Sequence, residues 1–285
     1  MDRRKIYSGL FVLPALIIFT IFFLVPMAIS FYFSLTIWGF DGFEFTGLDN
    51  FRAFFTNRNL SIAMTNTIIF AVLTMLGKLF FAFFIAIFVT SKIKTKNFLR
   101  AVVFFPTLVS GVAIGLTFSA LMHPSRGLIN AVIGFFGGPE VNWLGNVDLA
   151  LYSVIMVDIW RGVGIATVIF VAGLQAIDRN YYEAASIDGA NSWQQLRTIT
   201  LPLVRPAVNT IIILAFIGGM RSFDLIWAMT GGGPGFATEV MASTIYKQFA
   251  AGFFGLSTAG NVIMLVMIAI IVLPLYRFLV RKEVD

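Results

Sequence analysis

DRNYYEAASIDGANSWQQLRTITLPLVRP, residues 178–206, is the longest polar interruption between two strongly apolar segments in the C-terminal half of the chain. It carries no catalytic arrangement, yet it reads as a small folded object. Asn180 is placed to cap a first helical turn, with Glu183 three residues later as the acid of a capping box and Ala184 and Ala185 giving a smooth helix surface. Gly189, after Asp188 and before Ala190, permits a sharp turn. Trp193, Leu196 and Ile199 then recur at threes, the apolar face of a second short helix that Pro202 and Pro206 are expected to break. With membrane-crossing segments on either side, the stretch becomes a rigid helical elbow on one face of the bilayer, the shape of a docking element.

Composition supplies that membrane. Of 285 residues, 59% are hydrophobic and 12% charged, where a soluble domain carries about a quarter charged. Thirty-two Phe suit lipid-facing surfaces, and the absence of Cys excludes disulfides and thiolate sites. A net charge of +6 would suggest nucleic acid in a soluble chain. Here the basic residues sit where topology needs them, and no nucleic-acid partner is expected.

Spanning a hydrocarbon core of roughly 30 Å takes roughly 20 apolar helical residues. Six segments qualify, near 9–35, 63–90, 99–122, 150–176, 207–229 and 259–280, which predicts an all-α integral membrane protein with one transmembrane domain over 1–285. The first follows Arg3, Arg4 and Lys5 but is too long for a signal peptide and lacks a small-residue cleavage site, so it reads as an uncleaved span. Thirteen Lys and Arg fall on one side: Arg3, Arg4, Lys5, Lys92, Lys94, Lys96, Arg100, Arg179, Arg197, Arg205, Arg277, Arg281 and Lys282. Only Arg52, Arg58, Arg126 and Lys247 fall on the other. The positive-inside rule puts both termini and the elbow in the cytoplasm. The outer loops 36–62, 123–149 and 230–258 carry turn chemistry, notably Gly231-Gly232-Gly233-Pro234-Gly235, and read as short structured caps.

Several chemistries are missing. Gly77-Lys78 is followed by Leu79 inside a span, not by the remainder of a phosphate-binding loop, so the chain is not expected to bind ATP. With one His and no Cys, neither a His/Cys metal site nor a Cys/His nucleophile pair can be assembled. His123 reads as an interfacial residue.

Charged residues at membrane depth are functional-site candidates by default. They are Lys78 in the second span, Asp158 and Arg161 in the fourth, and Arg221 and Asp224 in the fifth. Asp158/Arg161 and Arg221/Asp224 are each three apart, the spacing of a local ion pair. Either each pair neutralises itself against protein, or the charges line a hydrated path beside Trp160, Phe223 and Trp227, whose rings suit sugar faces. Asp224 and Trp227 would share a face near the outer end of the fifth span. Lys78 has no acid in its own helix and needs a partner from another helix or a hydrated cavity. Gly111 and Gly115 form a GxxxG pattern, read as close helix packing, and Pro106 and Pro274 are expected to kink their spans. The glycine run 231–235 reads as a tight turn in preference to an anion cradle.

At the elbow, Glu183-Ala184-Ala185, Gly189 four residues on, and Ile199-Thr200-Leu201-Pro202 with Pro206 resemble the EAA loop of the membrane subunits of bacterial ABC importers. The chain is similar more narrowly to sugar-uptake permeases of the maltose and glycerol-phosphate type. Supporting marks are Gly47-Leu48-Asp49-Asn50-Phe51, Asn66-Thr67, Gly127-Leu128-Ile129-Asn130, Asn142-Trp143-Leu144, Phe223-Asp224 and Thr230-Gly231-Gly232-Gly233-Pro234. Leu196 departs from the Phe usual in the family. The resemblance implies that Glu183, Ala184, Ala185, Asp188, Gly189, Ala190, Trp193 and Leu196 form a coupling helix seated on a separate ATPase subunit. It further implies a second permease chain, an ATPase dimer that holds ATP and Mg, an extracytoplasmic solute-binding protein, and a bacterial or archaeal cytoplasmic membrane. This chain itself would need no cofactor. The competing class is an ion-coupled secondary transporter using Asp158, Asp224 or Lys78; the sequence shows neither the inverted repeat nor the interrupted pair of helices expected of it.

Overall fold

The computed structural model describes residues 9–39, 42–91 and 94–284; the topological charges Arg3, Arg4, Lys5 and Lys92 lie outside them. Two compact units result, one of Met1–Leu60 with Thr244–Val266, the other of Ser61–Ser243 with Met267–Asp285.

In the first unit, helix α1 (Leu10–Phe33) has 24 residues, enough for the hydrocarbon core, and buries none of its most apolar window. Leu16, Phe22 and Phe23 stand exposed along it, as they would toward lipid. A hairpin follows, β1 (Thr36–Gly39) antiparallel to β2 (Gly42–Phe45), with Thr36 opposite Phe45. This corrects the all-α expectation. Thr, Ile and Trp favour extended backbone, and Gly42 takes φ 130° at the turn. Trp38 stacks on Phe33 at 3.9 Å and leans on Phe254 at 5.2 Å. Helix α2 (Asp49–Thr56) is tied to the hairpin by Asn50, whose buried Nδ2 donates to the carbonyls of Ser34 (3.0 Å) and Thr36 (2.8 Å).

The second unit takes most of α3 (Arg58–Thr90), then α4 (Lys96–Leu108), α5 (Gly111–Leu121), α6 (Leu128–Phe135), α7 (Ala150–Gln175), α8 (Arg179–Ile187), α9 (Ser192–Leu203), α10 (Arg205–Met220) and α11 (Asp224–Thr230). Helices α12 (Met241–Ala250) and α13 (Phe254–Val284) complete the described elements. Four helices are long and apolar enough to cross a membrane, or six if each of two bent pairs counts as one span. The axis is α7, half buried over its apolar window against 22% for α3 and 11% for α13. Its Val154, Val157 and Leu151 join Phe70, Leu225 and Ile226 in one core cluster. Its Val163, Ala166 and Phe170 join Ala82, Ala86 and Ile211 in a second.

Two spans expected to be continuous are broken. The third bends by 99° between α4 and α5. Pro106 lies inside α4, and the break falls after it, at Val109 and Ser110, both with extended ψ. The fifth stops at Met220, and Arg221 to Phe223 leave helical geometry before α11 begins. Gly218 and Gly219 weaken the helix there; a Cβ on Gly219 would stand 2.6 Å from the Ala71 Cα, so the close approach of α10 to α3 requires glycine. Pro206 was expected to stop a helix. It starts one instead, in the first turn of α10, where a missing N–H costs nothing.

Over their described residues the three loops expected on the outer side are structured, each held by an asparagine from a motif quoted above. Besides Asn50, Asn130 donates to the carbonyls of Pro124 (2.7 Å) and Val141 (2.8 Å) while its Oδ1 accepts from the Trp143 indole (2.9 Å). Asn66 donates to the carbonyls of Phe236, Ala237 and Glu239, and the Thr67 hydroxyl accepts from the Met241 N–H at 2.8 Å. The glycine run is a turn: Gly231 caps α11 at φ 60°, and the N–H groups of Gly231 and Gly233 are used within it.

Candidate coupling loop and solute pathway

The elbow is α8, a left-handed glycine, and α9. Its N-cap is Asp178, whose side chain accepts from the Asn180 N–H at 2.9 Å, so the cap lies two residues before the expected Asn180. Glu183 does not close a capping box; it pairs with Arg179 one turn back at 3.1 Å, both largely exposed. The true capping box is Asn191 with Gln194 at the start of α9. The reason is register: Asp178 and Asn191, not Asn180, occupy the extended residue before each helix.

Between the two helices, Gly189 adopts φ 80°. The Ala190 N–H reaches back to the Ala185 carbonyl (2.9 Å) and the Gly189 N–H to Ser186 (3.2 Å), a Schellman ending that needs a residue free of Cβ strain. Side chains then stitch the elbow to itself. Tyr182 meets Thr200 at 2.9 Å, and Gln195 Nε2 donates to Ser186 Oγ (3.0 Å) and to the Ala190 carbonyl (3.2 Å). Pro202 does not end α9; a widened turn over Leu196–Thr200 precedes it, and the bend of 61° falls at Val204.

The bonds within the elbow leave one of its faces uncovered by this chain. Glu183, Ala184, Asp188, Gly189 and Trp193 are exposed, while Ala185, Ala190 and Leu196 are half-buried. Tyr181 and Ile187, not among the expected contacts, are exposed as well, Ile187 by 87%. An isoleucine next to Asp188-Gly189 in a polar loop is the signal that marks it.

The membrane-depth charges pair differently from their spacing. Asp158 does not turn to Arg161, nor Arg221 to Asp224. Lys78 on α3 reaches Asp158 on α7 at 2.5 Å, and Arg161 on α7 reaches Asp224 on α11 at 3.1 Å. The break in the fifth span explains one change: Arg221 ends α10 and Asp224 opens α11, so they share no helical face. Demand from Lys78 explains the other, because a buried ammonium without an acid is costly. Arg221 is exposed and in no ion pair among the described residues.

The two pairs sit in different surroundings. Lys78 and Asp158 side chains are each 12% exposed, and the lysine stem lies against Gly162, where a Cβ would come within 2.5 Å of it. Arg161 and Asp224 are 26% and 44% exposed. Gly111, the first residue of α5, abuts this second pair so closely that any side chain there would collide with the Asp224 carboxylate. Gly115 meets Ala228 of α11 one turn on, so the GxxxG pattern does pack helices. The first residues of α5 and α11, each following a break in its span, therefore meet at an ion pair that this chain leaves partly uncovered. Irregular backbone at membrane depth is tolerated where it is covered by protein or lines a wet cavity, and a carboxylate suits a helix N-terminus.

Around this pair the rings divide. Phe223 and Trp227 stack at 5.6 Å and 25°, with Trp227 exposed on the same face of α11 as Asp224 while Leu225, Ile226 and Met229 are buried. Trp160, half-exposed on α7, leans on Phe118 at 5.2 Å. Beyond α11, a cavity of about 370 Å³ is lined by Ser119, His123, Asn142, Thr230 and Gly233.

Comparison with known proteins identifies the family. Residues 78–284 match the family described as binding-protein-dependent transport system inner membrane component. The trehalose/maltose transport system permease protein MalF of Thermococcus litoralis is 30% identical over 281 residues, covering 97% of this chain and 95% of that protein. The multiple sugar-binding transport system permease protein MsmF of Streptococcus mutans is 31% identical, covering 94% and 93%. A crystal structure of a bacterial ABC transporter involved in import of the acidic polysaccharide alginate contains a chain of the same fold, with TM-score 0.82 at 22% identity over 95% of this chain and 94% of that one. The chain belongs to the inner membrane components of binding-protein-dependent transport systems.

Proposed function

We propose that this chain is the membrane-spanning permease subunit of an ATP-driven importer for a sugar or sugar-like solute, and that it is coupled to a separate ATPase through residues 178–206. Its role is non-catalytic: ATP and Mg are held by the partner ATPase dimer. A second permease chain completes the pathway, and an extracytoplasmic binding protein delivers the solute, as the alginate transporter solved with a pentasaccharide-bound periplasmic protein illustrates for its own system. Six spans, the third made of α4 with α5 and the fifth of α10 with α11, with both termini and the elbow in the cytoplasm of a bacterial or archaeal cell, agree with the charge asymmetry.

The observation that carries the coupling reading is the elbow itself: bonded internally, with its apolar Tyr181, Ile187 and Trp193 turned outward. ATPase closure would pull on such a rigid body and rock the helices attached to it, giving alternating access. The solute would pass Arg161, Asp224 and Trp227, where a ring and a charged pair suit a polyhydroxy compound. Lys78 and Asp158 brace the wall. Carbohydrate is favoured by the relatives, permeases of a trehalose/maltose and of a multiple sugar-binding transport system.

Solute uptake into inverted-control and right-side-out vesicles tests this. With ATP depleted and the ion gradient kept, uptake of maltose or trehalose by the assembled transporter is expected to stop. Undiminished uptake would favour the ion-coupled class. Replacing Glu183→Arg together with Gly189→Pro is expected to abolish coupled ATPase activity while the chain still inserts, because proline cannot adopt the positive φ that Gly189 requires.

A further inference from the structure

Between α4 and α7 a groove of about 340 Å³ opens to the surface, lined by Arg100, Val103, Phe104, Gly164, Val168 and Val171 among others. Its floor is apolar. Thr167, also on the wall, spends its hydroxyl on the Val163 carbonyl of its own helix at 2.8 Å. Arg100 is the exception. Its Nε is buried and has no hydrogen-bond partner among the described residues, and its guanidinium makes no ion pair among them.

A buried N–H donor without an acceptor, here on a half-buried arginine, is costly unless something supplies one. Lys94 and Lys96 stand exposed at the same end of α4, so the mouth is positive. Phe104 and Gly164 lie deeper, a turn further into the helices from the Arg100 end. The groove thus asks for a ligand with an anionic head and an apolar tail. A soluble anion would leave the floor uncovered, and a wholly apolar neighbouring helix would leave the Arg100 Nε without an acceptor.

We propose that this groove is a binding site for an anionic phospholipid, with the phosphate accepting from Arg100, the headgroup beside Lys94 and Lys96, and one acyl chain lying along Phe104, Val168 and Val171. Basic pockets between membrane helices favour such lipids through charge as well as burial. The leaflet follows from the orientation proposed above; the binding itself does not depend on it.

Native mass spectrometry of the assembled transporter, delipidated in non-ionic detergent, provides the test, with dioleoyl phosphatidylglycerol, dioleoyl phosphatidylcholine and glycerol 3-phosphate as probes. Phosphatidylglycerol is expected to bind about tenfold more tightly than phosphatidylcholine, with no retention of glycerol 3-phosphate. Arg100→Gln should remove most of that preference. Val168→Trp, which fills the groove from a residue already 52% exposed, should weaken both lipids. Arg58→Gln, an exposed basic residue elsewhere, should change neither. Equal binding of the two lipids overturns the proposal, as does a preference that survives both groove variants. Retention of glycerol 3-phosphate to the same extent would make this a phosphate site. Lipid bound by the lone chain but absent from the assembled transporter would mean that another protein covers the groove. If Arg100→Gln does not fold, the lipid comparison on the unaltered protein and the Val168→Trp result decide.

Discussion

Lys78–Asp158 and Arg161–Asp224 each join a basic and an acidic side chain across helices, and α7 supplies one partner to both. They differ in what surrounds them. The first is the more covered by this chain, each side chain 12% exposed, and Lys78 and Gly162 also line a cavity of about 310 Å³ between α3, α7 and α10. The second stands where α5 and α11 begin after breaks in their spans and is less covered by this chain, with side chains 26% and 44% exposed. In the pathway proposed above, the more covered pair holds helices in register, while the more exposed one at a discontinuity exchanges its partner for a solute. One turn of α7 separates the two roles.

The sharpest way to break this contrast is to remove one acid at a time. Asp158→Ala leaves a buried ammonium and should cost about 3–5 kcal/mol, whereas the double change Lys78→Met with Asp158→Leu should recover most of the loss. Thermal unfolding in detergent reads both, and a single variant as stable as the parent would put Asp158 outside the structural class. Asp224→Ala should cost no more than about 1 kcal/mol if, as the proposed pathway requires, its partly exposed pair is wetted. Uptake in vesicles should nevertheless fall tenfold or more, with Trp227→Ala raising the KM for solute. Loss of folding in Asp224→Ala would make the open pair structural too.

Smaller changes sharpen the same line. Gly111→Ala pushes directly on the Asp224 carboxylate, so uptake should drop with a stability loss of about 1–3 kcal/mol. Gly162→Ala pushes only on the flexible Lys78 stem and should be milder. The smallest effect belongs to Arg179→Ala on the elbow, which breaks a pair exposed by 80% and 61% and should shift stability by less than about 0.5 kcal/mol. A larger shift there would show that the elbow depends on that pair more than on its internal bonds.

How much of this was legible in the sequence depended on distance along the chain. The elbow was, because its turn glycine, its alanines and its prolines lie within 29 contiguous residues; its cap was misplaced by two positions because Asp178 and Asn180 both suit the role and only backbone geometry separates them. The apolar spans were legible by length. Their breaks were not: Val109 and Ser110 carry no strong stop signal, and Gly218-Gly219 reads equally as close packing. The ion pairs were misassigned because spacing of three satisfies local geometry, while the true partners lie 80 and 63 residues away. Asn50, Asn66 and Asn130 were visible only as marks of the family. Their work, each closing an outer loop with two or three carbonyls, appears once loop and helix are side by side.

The central claim is that residues 178–206 face the cytoplasm and receive an ATPase. The chain contains no cysteine, so a single Ile187→Cys gives a unique thiol on the exposed face of the elbow. We predict that a membrane-impermeant maleimide fails to label it in intact cells, labels it in inverted vesicles stripped of the ATPase, and is blocked again when the ATPase subunit is restored. Labelling in intact cells, or labelling unaffected by the ATPase, would contradict the account.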